Sequence, residues 1–218
     1  MEITLFNNLF SILSYKQFWE NISNFLRPIK IVIEHDSLKA YNDIEKAKDI
    51  LVFHAAFYPK YIGDRNPHQH SIEYALQNQK TLNVHIIVTD YSAIWMDEFT
   101  KVLRNEYPKD SLINHIKDNI ESINILKNKY PSRVYLHQAK ALPFMPIIIA
   151  DNIIFVGHYA HSQYPAPDGF WIKIKYKKIC NFFNILYNIE DLPDNLSPKE
   201  KAIIRYIEDC LYTIQEKQ

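Results

Sequence analysis

The chain has 218 residues, 47% hydrophobic and 23% charged, which is enough to bury one sizeable core. Lys plus Arg and Asp plus Glu are equal at 25 each, so the basic excess usual in duplex-binding proteins is missing. Three glycines, Gly63, Gly157 and Gly169, are too few for a Walker or Rossmann phosphate loop, which excludes P-loop NTPases and ordinary dinucleotide binding.

Residues 2–26 space their apolar groups helically (Phe6, Leu9, Phe10, Leu13, Phe18, Ile22, Phe25) and stop before Arg27-Pro28, predicting an N-terminal helical extension over 1–28. Ile29–Glu34 alternates and is β-branched, so it reads as a strand. A charged helix over Ser37–Lys48 leads to a second strand, Ile50–His54. A long loop and a helix near Ser71–Gln79 then precede the strand Val84–Thr89. His85 falls on the face opposite Ile86 and is expected to be exposed.

Helices are predicted over Ile94–Asn105 and Leu112–Asn128, followed by a short strand at Arg133–His137. Two wholly apolar strands come next, Ile147–Ile149 and Ile153–Val156, hinged at Asp151-Asn152, and Phe170–Ile174 alternates as another. Phe182–Tyr187 reads as helix. The last helix, Ser197–Glu216, opens S-P-K-E, with a Ser cap, Pro at the first position and Glu at the third.

The sum is a single α/β domain over 1–218, with a mixed, mostly parallel central sheet flanked by helices and extra helices at both ends (1–28 and 177–218). Cys180 and Cys210 lack metal-ligand spacing and suit a reducing compartment. No apolar run approaches the ~20 residues of a membrane span. The acidic start M-E-I-T-L-F lacks a secretory pattern, so a cytoplasmic location is expected.

In α/β sheets, residues at the carboxyl ends of neighbouring strands gather in one crevice. His54, Asp90, His137 and the loop His158-Tyr159-Ala160-His161-Ser162 stand at such exits. His158, His161, His54 and Asp90 are therefore the candidate catalytic residues, and Tyr159, Ser162, Asp151, Asp168 and Trp171 the candidate ligand contacts. Each has a structural alternative: His54 lies between apolar residues, and Asp90 before Tyr91-Ser92 is placed to cap a turn. His68 and His70 form an H-x-H without a third ligand, so neither a metal nor a cofactor is expected. Ser162 lacks the glycines of a nucleophile elbow.

The order of elements over 48–176 resembles the phospholipase D-like superfamily. A strand near Val52 and a helix precede N-V-H-I-I-V-T-D. After further helices come V-Y-L-H and P-F-M-P-I-I-I-A-D-N-I-I-F-V-G-H-Y-A-H-S. The last piece is similar to that family's H-x-K-x4-D strand pair with its trailing glycine loop. Asp151 and Gly157 match, but Phe144 stands where the family has its nucleophilic His and Pro146 where it has Lys. The resemblance implies the fold and a phosphate-sized crevice. It also implies loss of the phosphohistidine reaction, since Phe and Pro can neither attack phosphorus nor neutralise its oxygens.

The expected function is that of a catalytically degenerate member binding a ligand or partner as a regulatory or accessory subunit. The alternative is a phosphodiesterase or nuclease-type hydrolase rebuilt on His158, His161, His54 and Asp90. A homodimer or another protein is the expected partner, because single-motif members of the resembled family pair across a two-fold axis. A phosphate-containing ligand or nucleic acid fits the fold but is not indicated by charge.

Overall fold

The computed structural model describes residues 29–33, 40–55, 67–102, 109–142, 145–159 and 170–215. The predicted N-terminal helix, Phe144, His161, Ser162 and Asp168 lie outside them.

The strands follow the apolar runs: β1 (Ile29–Ile33), β2 (Ile50–His54), β3 (Asn83–Thr89), β4 (Val134–Ala139), β5 (Ile147–Ala150), β6 (Ile153–Val156) and β7 (Phe170–Lys175). They form one sheet in the order β1-β7-β6-β5-β2-β3-β4. The fold is mixed α/β, but the sheet is not mostly parallel. β2–β3 and β3–β4 are parallel, whereas β2–β5, β5–β6, β6–β7 and β1–β7 are antiparallel.

The connections explain the difference. Helices α2 (Pro67–Asn78), α3 (Met96–Val102) and α4 (Lys109–Lys129) carry the chain back between β2, β3 and β4, as parallel pairing requires. Between β5 and β6 there is only Asp151-Asn152, and a two-residue link can join antiparallel strands alone. Asp151 takes φ 47°, a conformation Asp tolerates better than most residues with a β-carbon. Its Oδ2 accepts the Lys48 N–H at 2.8 Å, and its Oδ1 accepts those of Asp49 and Ile50, each at 3.0 Å. The hairpin turn is thereby fastened to the beginning of β2.

The central strands are buried on both faces, which is why they read as unbroken apolar runs rather than alternating ones. Leu51, Phe53, Val84, Ile86, Ile148 and Phe155 face a core closed by α1 (Ala40–Ile44), α2 and α4. Ile50, Val52, Ile87, Ile147, Ile149 and Ile154 face the other core, closed by α5 (Ile179–Tyr187) and α6 (Pro198–Gln215). α3 packs on α4 through Met96, Phe99, Leu112 and Ile116.

The capping box read from S-P-K-E is formed. Glu200 Oε2 accepts both the N–H and the Oγ–H of Ser197, and the Glu200 N–H donates to Ser197 Oγ. Glu200 also accepts from Lys178 and Tyr176, tying α6 to the exit of β7. The Lys178 ammonium, then the Ser197 N–H and the Tyr176 hydroxyl, hold the Glu200 carboxyl well below the usual range. No described helix is long and apolar enough to cross a membrane.

Candidate functional site

Parallel pairing brings the carboxyl ends of β2, β3 and β4 to one edge of the sheet, joined there by the start of β5 and the end of β6. His54, Asp90 and His158 all lie along this edge. Asp90 Oδ1 accepts from the Ser92 N–H at 2.9 Å and the Ser92 hydroxyl at 2.6 Å, the turn-capping geometry read as its structural alternative. His158 is exposed. Tyr159 is half-buried, with its ring edge-on to Phe99 at 5.5 Å between centroids.

Asp151 is at the opposite end of the strands, engaged with the start of β2 as described above. Trp171 is buried in the α1/α2/α4 core. Its indole lies against Gly157, where an added β-carbon would come within 2.8 Å of Trp171 and 2.9 Å of Pro146. The position at which the resemblance calls for Lys is therefore occupied by a proline ring packed against Gly157 beside the Trp171 indole.

His54 points the other way. The alternation that sends Leu51 and Phe53 into one core sends Ile50, Val52 and His54 beneath α6. The imidazole is 5% exposed. Its Nδ1 has no hydrogen-bond partner, and Asp209 Oδ2 of α6 lies 3.7 Å away, too far for a hydrogen bond. Burial lowers the His54 pKa and Asp209 partly offsets this, so the ring is neutral at neutral pH.

Asp209 is partly exposed and lines a cleft of about 570 Å³ with Met145, Ala202, Arg205 and Tyr206. His54 is marked in the sequence as a strand exit, whereas no motif marks Asp209 or Arg205. The helical spacing of Arg205, Tyr206 and Asp209 was visible, but nothing in it says that α6 crosses the exit of β2.

Two histidines on the same face make a different arrangement. His85 is buried, not exposed as expected, because α5 covers the face opposite Ile86. Its Nδ1 lies 3.2 Å from His137 Nε2, and its ring stacks on Tyr135 and meets Tyr187 edge-on. Burial first, and His137 second, lower the His85 pKa to about 4. Among the described residues no group of three or more His, Cys, Asp or Glu side chains is arranged to hold a metal ion.

No protein-family model matches the chain. No curated protein matches it. Among solved structures it is similar to TrmBL2, an archaeal chromatin protein with a novel mode of DNA binding, at 12% identity and a TM-score of 0.45, over 82% of this chain and 61% of that one. It is also similar to phosphatidylserine synthase from Haemophilus influenzae Rd KW20, at 14% identity and a TM-score of 0.48, over 84% of this chain and 43% of that one. The chain thus spans less than two thirds of either structure's length.

Proposed function

We propose that this chain is a phospholipase D-like fold that has lost the phosphohistidine reaction and acts as a ligand-binding module, with its ligand site in the cleft beneath α6. The observation that carries this reading is the His54–Asp209 pair, whose carboxylate lines the cleft with the buried imidazole behind it. A buried imidazole nitrogen without a hydrogen bond costs about 1–3 kcal/mol, and such groups are enriched where a site is held ready for a ligand.

The family assignment is supported by the succession β2, α2, β3, α3, α4, β4 and the β5–β6 hairpin, with Asp151 at the hairpin turn. The loss of reaction is supported by residue chemistry. Phe144 has no nucleophilic atom, and Pro146 sits against Gly157 next to Trp171 and carries no charge.

The test has two arms. Purified protein is incubated with a panel of phosphodiesters and, separately, examined by native mass spectrometry for a bound small molecule. No turnover and an adduct lost in Arg205→Met are expected. Phosphodiester hydrolysis that disappears in His158→Ala would overturn the reading in favour of the rebuilt hydrolase.

A further inference from the structure

Arg205 and Asp209 stand four residues apart on α6, the spacing at which opposite charges on a helix ordinarily meet. No ion pair joins them, and Arg205 has none with any other described residue. Asp209 is instead turned toward His54, whose Nδ1 lies 3.7 Å from the carboxylate. Both charges line the same cleft, together with the half-buried Tyr206. Its volume, about 570 Å³, falls within the range of small-molecule sites.

We infer that the cleft takes a small zwitterion, with a primary ammonium on Asp209 and a carboxylate or phosphate on Arg205. The inference rests on the cleft being the ligand site proposed above. A simple anion attracted to the guanidinium would be repelled by the carboxylate one helical turn away, and a simple cation would meet the reverse. A molecule bearing both charges meets neither penalty. It also gains the planar fork of Arg205, which matches carboxylate and phosphate oxygens two at a time. Asp209 lies beside His54 and is not paired with Arg205, so each charge is open to the ligand.

Isothermal titration calorimetry of the full chain tests this with alanine, β-alanine and O-phosphoethanolamine against acetate, ethylamine and inorganic phosphate. At least one zwitterion is expected to bind at least tenfold more tightly than any singly functional control. Arg205→Met and Asp209→Asn are each expected to weaken that binding about tenfold or more, the loss typical of one charge-assisted hydrogen bond, with Lys201→Met unchanged. Sedimentation with phosphatidylethanolamine vesicles, alongside weak binding of the free compounds, would assign the zwitterion to a lipid headgroup.

Acetate, ethylamine or phosphate binding as tightly as every zwitterion would overturn the inference. Phosphate binding that depends on Arg205 and not on Asp209 would also overturn it while leaving the cleft a ligand site. If neither the compounds nor the vesicles bind, both the inference and the cleft reading fall.

Discussion

Replacing Asp151 separates its role in the hairpin turn from any role in ligand binding. Its carboxylate accepts three backbone N–H groups, from Lys48 at 2.8 Å and from Asp49 and Ile50 at 3.0 Å, and its backbone sits at φ 47°. A hydrogen bond to a charged acceptor contributes about 1.5–3 kcal/mol when buried, and less where water can replace it. The bonds to Lys48 and Asp49 are exposed, and that to Ile50 is partly buried. Together they amount to about 3 kcal/mol rather than the full sum.

Asp151→Ala adds about 1 kcal/mol, because alanine tolerates the left-handed region poorly and has no side-chain oxygen to stabilise it. The expected losses are about 4 kcal/mol for Asp151→Ala, about 3 for Asp151→Gly, which suits the backbone but lacks the carboxylate, and about 1–2 for Asp151→Asn, which keeps one acceptor. Urea unfolding followed by circular dichroism reads these directly. At a slope near 2 kcal/mol/M, the Asp151→Ala midpoint falls by about 2 M. Exchange of the Lys48, Asp49 and Ile50 amides accelerates in parallel. An Asp151→Ala change within about 0.5 kcal/mol of wild type, the range of an ordinary surface substitution, would refute the reasoning and return Asp151 to the ligand contacts.

Gly157→Ala places a methyl group within 3 Å of both Trp171 and Pro146, so thermal denaturation should show a loss of about 1–3 kcal/mol with altered tryptophan fluorescence. His85 is lowered from 6.5 to about 4 on folding, so the unfolded chain binds more protons between those values. Stability is therefore full above pH 6.5 and falls as pH drops toward 4, by about 3 kcal/mol; His85→Phe should flatten that part of the pH profile. Asp209→Asn removes the charge that raises His54, so the His54 ring signals in an NMR titration should move to lower pH; no movement would show that Asp209 does not act on the ring.

The strands were legible because their two-sided burial wrote itself as I-L-V-F, V-H-I-I-V-T, I-I-I-A and I-I-F-V. Their direction was not, because a strand buried on both faces looks the same in parallel and antiparallel company. The signal that settles direction is Asp151-Asn152, where two residues leave no room for a crossover. His85 was misplaced for a related reason. Alternation assigns a side chain to a face, and whether that face is covered depends on where α5 lies, which Phe183 and Tyr187 determine only after the chain has folded.

The same limit governs the site. His54 was found because it ends a strand, and strand ends have a known place in α/β sheets. Asp209 and Arg205 belong to a helix that the sequence describes by its apolar stripe of Ile203, Ile207, Cys210, Leu211 and Ile214. That stripe fixes how α6 sits on the sheet, and the flanking residues follow: once Ile207 and Leu211 are buried, Asp209 must lie beside the exit of β2. The cleft is thus a consequence of core packing rather than of a local motif. The residues that the sequence resemblance points to are bound up in the frame: Asp151 holds the start of β2, and Pro146 packs against Gly157. The proposed cleft lies across the sheet from Pro146 and Trp171, on the face of His54.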